Sequence, residues 1–173
     1  MTTRGAERSE LRSTALTSPV GRLTVVAGDR GLRAVLWPEE SAGRVRLEDP
    51  RVVGHGDDPV LDRAVAQLEE YFSGDRQEFD LPLDPVGTEF QIRVWTSLAE
   101  IGFGETWTYG RQAAWLGRPT AGRAVGAADG RNPLSIVLPC HRVVGSSGAL
   151  TGFAGGLAAK RWLLAHEGVT LGA

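Results

Sequence analysis

The hydrophobic pattern of this chain changes partway along, from short β-branched runs that suit strands to a helical spacing of about 3.6 residues, so the fold must hold both kinds of element. Residues 11–37 hold apolar, β-branched runs cut by turn residues. They are Leu16-Thr17-Ser18, the turn Pro19-Val20-Gly21, Leu23 to Ala27, the turn Gly28-Asp29-Arg30-Gly31, and Leu32 to Trp37. Such punctuation predicts a small antiparallel meander. Residues 39–58 are polar, with Pro50, Gly54 and Gly56, and read as a loop or irregular crossing in which His55 is exposed. From Pro59 the spacing is helical: Leu61, Val65, Leu68 and Phe72 fall at i, i+4, i+7 and i+11, and Ser73-Gly74 stops the run. Residues 79–84 form a short extended piece, and Asp84-Pro85-Val86-Gly87 is the best linker. The division expected is residues 1–84, a supporting α/β domain, and residues 85–173, a second domain that carries the chemistry.

Beyond the linker the pattern stays helical. Thr88 is placed to cap a helix in which Phe90, Val94, Trp95, Leu98 and Ile101 share a face. Residues 106–117 and 121–128 then read as two helices around Arg118-Pro119-Thr120, the outline of a helix-turn-helix. The second of these is made of small residues with one long side chain, Arg123. Gly122 and Gly126 each cost a helix about 1 kcal/mol relative to alanine. Two reasons for that cost stand side by side: close helix packing in a core, or close approach to a narrow DNA groove with Arg123 reaching past the backbone.

The chain has 173 residues, enough for one good core or two small domains. Its single cysteine excludes an internal disulfide and a multi-cysteine zinc site, which fits a reducing, cytoplasmic setting. Residues 1–10 are polar and lack the apolar core of a signal peptide, and no run reaches membrane-span length. The net charge of −2 conceals an asymmetry. Residues 1–105 carry 12 basic and 19 acidic side chains, residues 106–173 carry 7 and 2. A basic half of this kind suits a polyanion on one face, and chance imbalance between two solvated surfaces is the alternative. Five arginines against one acid, Asp129, between residues 106 and 145 would make a phosphate-contacting patch.

The single cysteine lies in Ile136-Val137-Leu138-Pro139-Cys140-His141-Arg142-Val143-Val144. An apolar run ending in proline predicts a buried strand that stops at Cys140. A lone thiol in such a run is ordinarily a small buried hydrophobe. Here a histidine and an arginine follow at once, as an activated thiolate requires. In an extended chain neighbouring side chains point to opposite faces, so His141 reaches the sulfur only if the chain turns or a water intervenes. Residues 143–150 read as a hairpin beside this site, turning at Gly145-Ser146-Ser147-Gly148.

Pro139-Cys140-His141-Arg142-Val143 preceded by Asn132-Pro133 resembles the active-site signature of the 6-O-alkylguanine-DNA alkyltransferases. The likeness extends over most of the C-terminal half. It takes in Gly87-Thr88-Glu89-Phe90-Gln91, Val94-Trp95, Arg123-Ala124-Val125-Gly126, Gly148-Ala149-Leu150-Thr151-Gly152, Gly155-Gly156, and Leu163-Leu164 with Glu167-Gly168. The resemblance implies an α/β N-terminal domain, a small antiparallel sheet plus helix. After it would come a mainly α C-terminal domain with a helix-turn-helix, winged-helix-like DNA-binding unit.

It further implies DNA repair: a 6-O-alkylguanine, and by extension a 4-O-alkylthymine, is flipped from the duplex and its alkyl group passes irreversibly to Cys140, once per molecule. His141 would act through a water, Glu167 would hold the other ring nitrogen, and Asn132 would brace the turn. Arg123 would fill the gap in the duplex and Tyr109 would crowd the neighbouring phosphate, with Arg118, Gly122, Ala124, Gly126 and Ser146 on the same DNA face. Val143, Phe153, Ala154 and Lys160 would wall the base pocket. Read on their own, Tyr109 is equally a core aromatic and Lys160 a solvated charge, while His166 is a surface residue without a role. The implied partner is duplex DNA carrying an alkylated guanine. No cofactor, catalytic metal, membrane or obligate protein partner is implied, and the protein would be a monomer. The chain departs from the family pattern at Gly102, where a looser turn is expected, and at Gln112, Phe153 and Ala154.

Two other classes remain. A non-catalytic lesion binder would keep the Arg123 helix but lack the reactive cysteine. A sequence-reading regulator would offer several base-reading side chains on its second helix, where this chain offers Arg123 alone.

Overall fold

In a computed structural model of the chain, which describes residues 10–170, the N-terminal part is a four-stranded sheet with one helix against it. Strands β1 (Arg12–Ser18), β2 (Gly21–Gly28) and β3 (Gly31–Leu36) pair antiparallel, as the meander pattern predicts. A two-residue β4 (Arg51–Val52), inside the polar crossing, adds parallel to β1 and gives the order β3-β2-β1-β4. Residues 1–9, most of the polar start, lie outside the described part.

Helix α1 (Pro59–Ser73) begins where Asp58 accepts from the Val60 and Leu61 amides at 2.9 and 3.1 Å, and ends at Gly74 in the left-handed conformation. Its buried face is Leu61, Ala64, Leu68 and Tyr71. The expected stripe is thereby corrected at two places: Ala64 and Tyr71 face inward while Val65 and Phe72 are only partly buried, because the helical period admits i+3 as readily as i+4.

The free edge of β3 carries the rest of the molecule. Leu32 donates to the Pro82 carbonyl and accepts from the Asp84 amide, each at 2.8 Å, so the extended piece and the linker lie along that edge. Gly31 permits the approach; a Cβ there would meet the Pro82 oxygen at 2.6 Å. Three residues beyond Leu32 along β3 the Val35 amide donates to the Pro133 carbonyl at 2.8 Å. The same edge thus fixes both the linker and the segment that leads to the cysteine.

Helix α2 (Glu89–Ser97) starts at Thr88 with a reciprocal box, Thr88 Oγ1 accepting from the Gln91 amide and Gln91 Oε1 from the Thr88 amide. A 3₁₀ turn, Leu98–Glu100, extends it. The first helix of the next pair is shorter than its pattern suggested. Trp107–Thr108 is a strand, β5, and α3 runs Tyr109–Trp115 with the Thr108 hydroxyl as its cap. After the turn, α4 spans Gly122–Gly130. Strand β6 (Val143–Val144) pairs parallel with β5, and α5 (Leu157–His166) closes the domain. This is the expected α/β sheet domain followed by a mainly helical domain with a helix pair suited to DNA.

Two local expectations fail. Residues 135–138 are a turn, not a strand: Ile136 has φ 74°, and Leu138 donates back to the Leu134 carbonyl at 2.8 Å. A β-branched residue in the left-handed region is held there only by its surroundings. Here those are the β3 edge and the buried Asn132. Nor is there a hairpin after Val144. Residues 145–149 close a tight loop, Gly145 donating to the Ala149 carbonyl at 2.9 Å, and β6 takes its partner from β5.

Candidate active site

Cys140 opens a 3₁₀ turn, Cys140–Arg142, that is buried throughout. Asn132 builds the bend before it. Its amide nitrogen donates to the Leu138 carbonyl at 2.8 Å, and its amide oxygen accepts from the Leu134 amide at 3.0 Å. The chain therefore turns before Cys140 and does not run extended through the Cys140-His141 pair.

Burial pushes the Cys140 thiol up to about 11, against the lowering influence of Asn132. At that value roughly one molecule in ten thousand holds a thiolate at pH 7. A nucleophilic role therefore needs a base that removes the proton as the sulfur reacts.

His141 follows, fully buried, with Nε2 at 2.6 Å from Glu167 Oε2. Burial pushes its pKa below the ordinary histidine value although Glu167 works the other way, so the ring is neutral near pH 7. Burial would raise Glu167, but bonds from His141 and Arg142 outweigh it and hold this carboxyl at about 2. An ionised carboxylate only accepts, so Nε2 carries the ring proton and Nδ1 keeps a lone pair. Among the described residues Nδ1 has no hydrogen-bond partner.

Glu167 is the most heavily used side chain of the site. Besides His141 it accepts from Arg142 Nε at 2.7 Å, Arg142 Nη2 at 3.2 Å, the Gly104 amide at 3.2 Å and the Tyr71 hydroxyl at 2.6 Å. Arg142 is thereby removed from the DNA-facing patch to which its charge assigned it. It is buried, and its Nη1 donates to the Ile101 carbonyl at 2.6 Å. Tyr71 does not stand out in sequence as part of the site; Arg142 does, as a charge beside the thiol, but its bond to Glu167 is visible only in the fold.

The helix pair separates an inner from an outer face. Val125, Ala128 and Asp129 of α4 are buried, whereas Arg123, Ala124, Arg118 and, on the loop after β6, Ser146 are exposed. The two small-residue explanations divide between two glycines. A Cβ at Gly126 would touch the Tyr109 ring at 3.4 Å, and one at Gly122 would meet open space. Tyr109, the first residue of α3, is half-buried, and its hydroxyl lies 2.6 Å from the Thr151 hydroxyl. Asp129, the one acid of the basic stretch, contributes little to it. Its carboxyl is buried against Gln112 Nε2 at 3.1 Å, and burial raises it to about 7 in spite of that bond.

Two further side chains, Lys160 and His166, sit differently from their sequence reading. Lys160 is neither at a rim nor solvated; it is buried, and Nζ donates to the carbonyl of the buried Val143 at 2.7 Å. His166 is partly buried, stacks on Trp162 and bonds the Tyr71 carbonyl through Nε2 at 2.6 Å. Phe153 and Ala154 line a cleft of about 400 Å³ with Val20 and Trp37, and Cys140 is not among its walls.

A family model described as the DNA-binding domain of 6-O-methylguanine DNA methyltransferase matches residues 89–169. A second, for the ribonuclease-like domain of the same family, matches residues 11–85. The chain belongs to the 6-O-methylguanine DNA methyltransferase family. Relatives named methylated-DNA-protein-cysteine methyltransferase include one from Methanosarcina acetivorans, 44% identical over 151 residues, 87% of this chain and 94% of that one. One from Shigella flexneri is 44% identical over 162 residues, 90% and 95% of the two chains. The crystal structure of Mycobacterium tuberculosis OGT in complex with DNA superposes with a TM-score of 0.79 at 43% identity, covering 91% of this chain and 92% of that one. No helix among the described residues of this family member is long and apolar enough to cross a membrane.

Proposed function

We propose that this methyltransferase repairs duplex DNA by taking the alkyl group of 6-O-alkylguanine onto Cys140. The observation that carries the reading is the buried His141–Glu167 pair next to Cys140, in which an ionised carboxylate fixes the histidine tautomer and leaves Nδ1 free as a base. A water between Nδ1 and the sulfur would carry the thiol proton to His141. The sulfur–carbon bond forms as the carbon–O6 bond breaks, the electron pair stays with the base, and the leaving guanine takes up one proton. A thioether is not displaced by water, so each chain acts once. The same chemistry extends to 4-O-alkylthymine, and it requires no cofactor.

The reacting oxygen cannot be reached while the base is stacked, so the nucleotide must rotate out. Arg123 fills the gap, supported by its exposure on α4, and Tyr109 crowds the neighbouring phosphate. Arg118, Ala124 and Ser146 are exposed and lie on the same DNA face, with Gly122 leaving room for the backbone and Gly126 seating the Tyr109 ring behind it. We assign Phe153 and Ala154 to the wall of the base pocket; Val143 is buried, and Lys160 fixes its carbonyl. We place the domain division at residues 84 and 85, and the protein in the reducing cytoplasm, where a free thiol persists.

Cys140→Ala tests the assignment. The variant is expected to bind duplex carrying 6-O-methylguanine as the parent does and to transfer nothing, by gel shift and by loss of label from the DNA. Residual transfer would place the nucleophile elsewhere.

A further inference from the structure

Glu167 draws one of its donors from the other half of the chain. Tyr71, in the last turn of α1, is fully buried and donates its hydroxyl to Glu167 Oε2 at 2.6 Å, the oxygen that also accepts from His141 Nε2. Its own carbonyl accepts from His166 Nε2, so two consecutive residues at the end of α5 are tied to one residue of α1. The ring is fixed as well, packed against Phe72, Phe79, Phe103 and His166. A phenol so confined has no freedom to turn to another acceptor.

We propose that Tyr71 is a positioning residue of the transfer reaction, through which the N-terminal sheet domain fixes the Glu167 carboxylate and limits its pull on His141. The inference rests on the reading of Cys140 as alkyl acceptor and His141 as base. A carboxylate oxygen shared between two donors bonds each more weakly than it would bond one alone. Without the phenol, Oε2 turns its full negative charge on His141, favours the imidazolium and raises the histidine pKa. A protonated ring cannot accept the thiol proton. Tyr71 thus helps to keep the base neutral, and this gives the sheet domain, which carries no reacting group, a part in the chemistry.

The other charged groups around the couple stay in place when Tyr71 is changed. Glu167 faces His141 and Arg142 from the 3₁₀ turn; His141 feels Glu167, Arg142 and, from α5, Lys160. Tyr71→Phe removes the hydroxyl and leaves the ring contacts. A 3-fluorotyrosine at position 71 keeps the volume and is a more acidic, stronger donor.

The test is the pH dependence of the rate of transfer from free 6-O-methylguanine base to the full-length chain, read by protein mass. Tyr71→Phe is expected to move the acid limb up by roughly half a unit or more, and 3-fluorotyrosine to move it down. Affinity for duplex should stay unchanged in both. A limb that stays put in both variants, or moves the same way in both as lost packing would make it, overturns the proposal. If Tyr71→Phe fails to fold, the direction of the fluorotyrosine shift decides. A parent chain that takes up no alkyl group at any pH overturns the reading of Cys140 itself, whereas normal transfer with unmoved limbs overturns only the role of Tyr71.

Discussion

Asp129 and Gln112 show how far one pair of side chains escapes a reading by composition. Each is buried, they share one hydrogen bond, and Asp129 Oδ2 and Gln112 Oε1 have no partner among the described residues. A buried carboxylate oxygen without a donor is costly to keep charged, and protonation of the carboxyl removes that charge. The folded pKa of Asp129, about 7, lies above its unfolded value of 3.8. Protonation therefore stabilises the fold fully below the unfolded value, and that contribution is lost as pH rises through 7. Asp129→Asn, which brings a permanent donor and no charge, is expected to be more stable than the parent at pH 8. The advantage should be ~2–4 kcal/mol larger there than at pH 4. Thermal melts of the two proteins across that range measure the gap; a constant gap would mean that Asp129 stays ionised.

Helix α4 joins this buried residue to an exposed one, Arg123, about two turns earlier. Arg123→Ala is expected to slow transfer from duplex at least tenfold and to leave transfer from the free base within a factor of two, since only the duplex requires extrusion. Equal losses on both substrates would count against that role. At this scale much was legible in the sequence. Period, caps and turn residues located β1 to β3, α1, α2 and the helix pair, because those signals are local. The stretch before Cys140 was misread because its shape is not local. Ile136 is held at positive φ by Asn132 and by the β3 edge, a strand about 100 residues earlier, and an apolar run ending in proline carries no trace of that contact. Arg142 and Lys160 were misplaced for a related reason: a charge is written in the sequence, but its burial against Glu167 or the Val143 carbonyl is not.

As a whole molecule, the chain places a sheet with an edge to spare beside a helical domain with a turn to be held. The β3 edge grips the extended piece at Pro82, the linker at Asp84 and the cysteine segment at Pro133, and α1 reaches Glu167 through Tyr71. The split of charge along the chain anticipated which half meets DNA, while the dependence of the thiol site on the sheet domain became visible only with the fold. The central claim concerns the fate of one alkyl group. The most direct measurement is the intact mass of the chain after mixing with excess duplex bearing one 6-O-methylguanine, followed by peptide mapping. The account predicts a gain of one methyl per chain, located on Cys140, with no second addition on prolonged incubation. An unchanged mass with tight, lesion-selective binding would contradict it and leave a lesion binder whose cysteine is idle.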